Sequence, residues 1–313
     1  MNLILIYKLK NKTMKTIKTF LLLMVVALAI PCMAETDATK AVEKNIGLQM
    51  YSLRSQIGGK SENIDAIIKS IGKMGYKYVE TANYADGKIY GLTPEEFKAK
   101  LTAAGLWALS CHVSYGLAAD VSKINWDEVW AWWDLCIATH KAAGMKYLIT
   151  PSMPGNLFIE DLQVYCEYYN KIGEKCNAAG LKFGYHNHAF EFEKIYEINR
   201  KRVSMYDYML EHTNPANVFF EMDVYWVIKG GRTPVGLFKK YPGRFLVLHI
   251  KDEAELGESG MVGFDGIFKY IGTAGTKYLI VEVEKYTIPE AESVKVSLDY
   301  LNNAAFVKND YSK

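Results

Sequence analysis

Cysteine is scarce in this chain of 313 residues, and its five copies show no CxxC spacing. Neither a thiolate zinc motif nor a disulfide-framework fold is therefore expected. Cys111, Cys136, Cys166 and Cys176 read as buried thiols. Cys166 and Cys176 fall ten residues apart on one predicted helix, about 15 Å at 1.5 Å per residue, too far to bridge each other. A bridge between neighbouring helices through Cys136 stays open. Long apolar runs are also missing: Phe20 to Ile30 spans 11 residues, short of the roughly 20 that cross a bilayer. No GxGxxG follows the first strand, so the dinucleotide fingerprint of a doubly wound open sheet, the runner-up architecture, is missing. No linker or low-complexity tract divides residues 40–308.

The N-terminus instead carries a targeting pattern. Lys15 and Lys18 precede the apolar run, and Pro31, Cys32, Met33 and Ala34 follow it. This is the layout of a secretory signal peptide. We expect residues 1–34 to be removed after Ala34, with Met14 a second candidate start and the product periplasmic or extracellular. Pro31 disfavours lipid attachment at Cys32, so no stable membrane anchor is expected after cleavage. Residues 1–34 hold five of the 37 basic residues and no acid, which leaves 32 basic against 35 acidic residues, net −3. Such a balance argues against capture of a nucleic-acid backbone.

After a lead-in over residues 35–46, short apolar runs alternate with amphipathic stretches. The strand candidates are Gly47–Tyr51, Tyr76–Thr81, Trp107–His112, Lys146–Thr150, Leu181–His186, Val218–Asp223, Phe245–Ile250 and Tyr278–Val283. Between them lie helix candidates Asn63–Met74, Pro94–Ala104, Trp126–Ala143, Glu160–Ala179, Lys201–Glu211, Pro234–Lys240, Phe264–Ile271 and Glu290–Ala305. Thr93-Pro94 and Thr233-Pro234 read as N-caps followed by Pro. Eight such repeats predict a single (β/α)8 TIM barrel over residues 47–308. Trp126, Trp130 and Trp133 at i, i+4, i+7 predict a helix face packed on the barrel. His140 and His212, near helix ends, read as solvated cations.

Polar residues of one parity close the later strands: His186 and His188, Glu221 and Asp223, His249 and Lys251, Glu282 and Glu284. Residues i and i+2 of a strand share a face, and barrel chemistry sits at the strand C-termini. Glu80 and His112 end strands 2 and 3 in the same way. Imidazoles and carboxylates converging from several strands predict a divalent cation site. Parity leaves open which member of each pair binds.

The runs Gly47-Leu48-Gln49-Met50-Tyr51-Ser52-Leu53-Arg54, Gly75 to Glu80, Tyr185-His186-Asn187-His188, Glu221 to Trp226, Arg244 to Asp252 and Ile280-Val281-Glu282 resemble the xylose isomerase-like barrel superfamily. Its members include sugar isomerases and epimerases, inosose dehydratases, keto-glycoside lyases and endonuclease IV-type enzymes. The resemblance implies one divalent metal ion, Mn2+ first, with Zn2+, Co2+ or Mg2+ as options. It would be held by His186, Asp223, His249 and Glu282. His186 stands where many members have Glu, and Trp226 where several have His. The implied activity is metal-dependent isomerisation or epimerisation of a keto-sugar through an enediolate. Lys251, Glu80, His112 and Glu282 are the candidate proton-transfer groups. Nearby charge and burial are expected to lower the Lys251 pKa, with a salt bridge to Asp223, Glu221 or Glu284 the competing role. His188, Trp226, Tyr51 and Glu284 are assigned to a carbohydrate substrate, the Trp226 indole as a stacking surface. A lyase or hydratase acting on 3-keto-glycosides is the alternative. A non-catalytic sugar-binding barrel and an abasic-site endonuclease are minor ones. A homo-oligomer is compatible with all of these.

Overall fold

The computed structural model describes residues 43–58 and 63–313. The signal-peptide segment lies outside the described residues, as does most of the lead-in. The end of the lead-in is tied to the C-terminus. Lys44 Nζ donates to the carbonyls of Leu301 and Ala304, and Asn45 N–H to that of Asn309.

Eight parallel strands close into a barrel: β1 Gly47–Gln49, β2 Tyr78–Thr81, β3 Trp107–His112, β4 Tyr147–Thr150, β5 Lys182–His186, β6 Val218–Asp223, β7 Val247–Ile250 and β8 Tyr278–Val281. Each pairs with its sequence neighbours, and β8 closes on β1 through Gly47↔Ile280. The helices form the outer ring: α1 Ile64–Met74, α2 Pro94–Ala103, α3 Trp126–Ala142, α4 Ile159–Ala179, α5 Met205–His212, α6 Pro234–Lys240, α7 Phe264–Lys269 and α8 Glu290–Asn303. The (β/α)8 barrel is therefore the fold.

Local chemistry accounts for the helix boundaries. Thr93 and Glu96 form a reciprocal capping box at α2 with Pro94 at N1, and Thr233 caps α6 in the same way without the return bond. Gly75 ends α1 at φ 104°, a left-handed turn that a side chain would strain.

The barrel interior has its own cluster: Tyr78, Leu109, Tyr147, Ile149, Phe219, Val247, Tyr278 and Ile280. Gly184 makes room for it, since a Cβ there would lie 2.6 Å from the Phe219 ring. Outside the strands, Trp133 is fully buried. Trp126 and Trp130 stack at 5.4 Å beside Tyr168, the packed face the sequence predicts.

Two expectations change and one open alternative closes. The segment predicted as helix Lys201–Glu211 begins as strand Lys201–Ser204, paired antiparallel with Ile195–Ile198. Asn199 and Arg200 turn this hairpin at φ 52° and 64°. Arg is an unusual residue there, so the turn carries no Asn-Gly signature. His140 is fully buried, not solvated. Its Nδ1 lies 2.7 Å from the Cys136 carbonyl, and burial lowers its pKa to about 4. Cys111, Cys136, Cys166 and Cys176 are all free and buried, so the Cys136 bridge is not formed.

Candidate active site

Above the apolar cluster the same strands turn polar. The inward parity that places Tyr78, Phe219, Val247 and Tyr278 below continues to Glu80, Glu221, His249 and Glu282 above. Strand β3 needs a correction to join them. Its pairing with β2 runs Val79↔Ala108 and then Glu80↔Ser110, skipping Leu109. One extra residue shifts the facing parity. Leu109 packs in the apolar layer, while Ser110 and His112 face the mouth.

The deeper tier is a hydrogen-bonded set with one loose end, Glu221 Oε1, which is buried without a partner. Glu80 Oε1 lies 2.7 Å from His249 Nε2 and 3.0 Å from His112 Nε2, and accepts from Gln49 Nε2 at 2.8 Å. Ser110 donates to its other oxygen. Glu221 Oε2 lies 2.7 Å from His112 Nε2 and 3.2 Å from His249 Nε2. Burial opposes charge on both imidazoles, but the carboxylates outweigh it. The His112 pKa stands raised to about 10 and that of His249 well above the ordinary value.

The upper tier is only partly paired, with His249 Nδ1 3.2 Å from Glu282 Oε2. His186, Asp223, His249 and Glu282 are buried, and each offers a ligand atom within 4.8 Å of the others. Both ring nitrogens of His186 and Oδ2 of Asp223 are buried without a hydrogen-bond partner. Their mutual distance, 3.7 Å between His186 Nε2 and Asp223 Oδ2, is too long for such a bond. Burial, with His249 and His112 alongside, pushes the His186 pKa down to about 3, so its imidazole is neutral and able to ligate. Burial also raises the Asp223 pKa from its ordinary value. Unpaired buried polar atoms are costly, and a cation would satisfy these. The donor set fits one. His112, His186, Glu221 and His249 form an overlapping second set, in which Oε2 of the one carboxylate, Glu221, is already taken by His112 and His249.

A pocket of about 300 Å³ opens over this tier, lined by Tyr51, Ala82, His112, Pro151, His186, His188, Glu282 and Glu284. Of the four proton-transfer candidates, His112 and Glu282 reach it. Glu80 does not: it is fully buried beneath the two imidazoles that it holds. Lys251 also needs correction. Its ammonium meets Glu284, Glu282 Oε2 at 3.2 Å and Asp223 Oδ2 at 3.9 Å. Burial alone would lower its pKa, but these carboxylates raise it, so Lys251 stays charged instead of serving as a base. Burial likewise opposes charge on Glu282, yet Lys251 and His249 hold it well below the usual carboxylate range. Tyr51, His188 and Glu284 line the pocket. Trp226 does not. Its ring packs 5.7 Å from that of His188 and 5.0 Å from the Lys251 ammonium.

Glu221 was marked by parity together with Asp223, but its place under His112 depends on β3. Two further residues of the site were not singled out by type and parity. Glu191 is buried, accepts from the His188 N–H at 2.9 Å and from the Tyr185 hydroxyl at 2.7 Å, and is raised by burial to about 7. Asn187 bonds the Asp223 backbone. The last two act on main-chain atoms, and a sequence pattern carries no signal for that.

Fold and site together define a (β/α)8 barrel with a histidine–carboxylate mouth. The chain belongs to the xylose isomerase-like TIM barrel family, whose family model matches residues 68–304. A crystal structure of a sugar phosphate isomerase/epimerase from Parabacteroides distasonis ATCC 8503 is 36% identical. The match covers 85% of this chain and 100% of that one, with a TM-score of 0.76. A second sugar phosphate isomerase/epimerase from the same strain is 31% identical over 85% and 96% of the two chains, with a TM-score of 0.77. The structure of an L-ribulose 3-epimerase, 15% identical over 81% and 86%, shares the fold at a TM-score of 0.60. Comparison with curated proteins finds no match.

Proposed function

We propose that this chain is a divalent-metal-dependent isomerase or epimerase acting on a keto-sugar by α-proton abstraction and an enediolate. One observation carries the reading: the partnerless atoms of His186 and Asp223 lie buried among the four converging donors. His186, Asp223, His249 and Glu282 would hold the ion. Bound there, a divalent cation supplies Lewis acidity toward a carbonyl and its neighbouring hydroxyl.

The remaining roles fall to this chain's own groups. Glu282 is an ionised carboxylate on the pocket wall, steadied by Lys251 and His249, and takes the α-proton. His112, kept protonated by Glu80 and Glu221, faces it as the proton donor. Tyr51, His188 and Glu284 bind sugar hydroxyls. Although the similar structures are described as sugar phosphate enzymes, no Lys or Arg lines the pocket among the described residues. We therefore favour an unphosphorylated carbohydrate. That preference accords with export directed by residues 1–34, which is part of the same proposal.

The opposed groups differ, Glu282 against imidazoles, and this favours a second reading. Epimerisation is served by two similar acids, whereas elimination needs one base and one different acid. As a lyase on 3-keto-glycosides, the site would break the β C–O bond and pass a proton to the departing oxygen.

Two measurements test the proposal. Metal content should be stoichiometric in wild type and lost in His249→Ala and Glu282→Ala; retention by both variants would remove the metal-centred reading. Incubation with free ketoses in D2O should place deuterium at the α-carbon. Release of an aglycone from keto-glycosides, without such exchange in free sugars, would select the lyase.

A further inference from the structure

Asn187 is fully buried just past the end of β5. The β5–β6 ladder closes at His186↔Glu221, and beyond it the backbone turns away into a helical turn at Phe190–Glu193. The Asn187 side chain takes over at that point. Its Oδ1 accepts from the Asp223 N–H at 3.2 Å, and its Nδ2 donates to the Asp223 carbonyl at 3.2 Å. The Tyr206 hydroxyl donates to the same Oδ1 at 3.4 Å. One primary amide thus supplies the donor and acceptor that a further backbone residue of β5 would have offered.

The consequence falls on the carboxylate. Asp223 Oδ1 is engaged as the cap of the helix Val224–Lys229, accepting from the Trp226 N–H at 2.9 Å. Asn187 holds both main-chain groups. Three of the four polar atoms of Asp223 are committed, and only Oδ2 is left, toward His186. We propose that Asn187 is a positioning residue that fixes Asp223 Oδ2 against His186 and thereby sets the affinity of the cation site. This role rests on the metal-centred reading above. An outer partner of this kind typically changes metal affinity ~10–100-fold.

The test uses the full chain, Mn2+ alone as probe, and three variants: Asn187→Ala, Asn187→Ser and Thr276→Val. Thr276 donates to the Phe245 carbonyl at 2.8 Å just before β8, at the other end of the barrel. Each variant loses buried hydrogen bonding, so each should lose thermal stability. Titration should show Mn2+ Kd weakened ~10–100-fold in Asn187→Ala, with an altered EPR spectrum of the bound ion. Thr276→Val should keep both the wild-type Kd and the wild-type spectrum. If Asn187→Ala does not fold, Asn187→Ser carries the same comparison with a smaller cavity. A folded Asn187 variant with wild-type Kd and spectrum overturns the positioning role and leaves the metal-centred reading intact. So does a loss of affinity in Thr276→Val equal to that at Asn187. A wild-type chain that binds no Mn2+, Zn2+, Co2+ or Mg2+ overturns both.

Discussion

The lower and upper halves of the barrel interior are built from the same strands and the same facing positions, yet they obey opposite rules. Below, Tyr78, Tyr147, Phe219 and Tyr278 meet edge to face, with ring centroids 5.0 to 5.9 Å apart. Contacts of this kind are satisfied by the fold alone. Above, imidazoles, carboxylates and one ammonium crowd into a buried space, and several of their atoms have no partner. The lower half closes the barrel. The upper half holds an arrangement that costs stability and that could hold a metal ion. Glu80 marks the frontier, with every contact internal and all of them beneath the histidines.

The sharpest way to separate the halves is to remove one function without touching the other. Replacing Glu282 with Gln keeps its volume but removes a group proposed both as the base and as a ligand to the ion. Solvent-exchange rates on a keto-sugar should fall ~10²–10⁴-fold, while thermal unfolding shows a barrel that still folds. Wild-type exchange by this variant would move the base to another residue.

Phe219→Ala makes the reciprocal break. It empties the lower half and should cost about 3–5 kcal/mol, read as a lowered denaturant midpoint with Mn2+ stoichiometry retained. If metal binding were lost in the folded variant, the two halves would not be separable.

His140 shows what burial does to an imidazole away from the barrel mouth. Its pKa falls from 6.5 to about 4, so the folded state holds fewer protons than the unfolded one below pH 6.5. Its contribution is full above 6.5 and is lost as pH falls toward 4, up to about 3 kcal/mol. Urea unfolding at pH 7 and pH 4.5 should show that loss in wild type and a flatter dependence in His140→Leu. Equal pH dependence in the two proteins would contradict it.

The smallest effect should come from the rim. Tyr51 is 44% exposed and lines the pocket. Tyr51→Phe should raise KM roughly fivefold, the worth of one hydrogen bond of about 1 kcal/mol, with the unfolding temperature unchanged. A shift in stability instead would make it a structural residue.

Much of this was legible in advance. Strand ends at His186, Asp223, His249 and Glu282 could be read because period two is enforced wherever a strand faces a packed interior. The four donors that the resemblance implied lie together, whereas parity alone left open which member of each pair would. The hairpin at Asn199-Arg200 was not legible, because its turn uses an unfavoured residue. Nor was the burial of His140, which depends on what packs against α3 and on nothing within α3 itself.

Sequence alone determined the repeat, the helix caps and the inward face of each strand, since all three follow from neighbours a few residues apart. Tertiary structure decided which inward groups are charged and which are free. Lys251 became a fixed cation because three carboxylates from two other strands surround it. Glu80 became a support for His112 and His249 because the skipped Leu109 turned β3 toward it. Electrostatic roles are set by distances across the barrel, and those exist only once it closes.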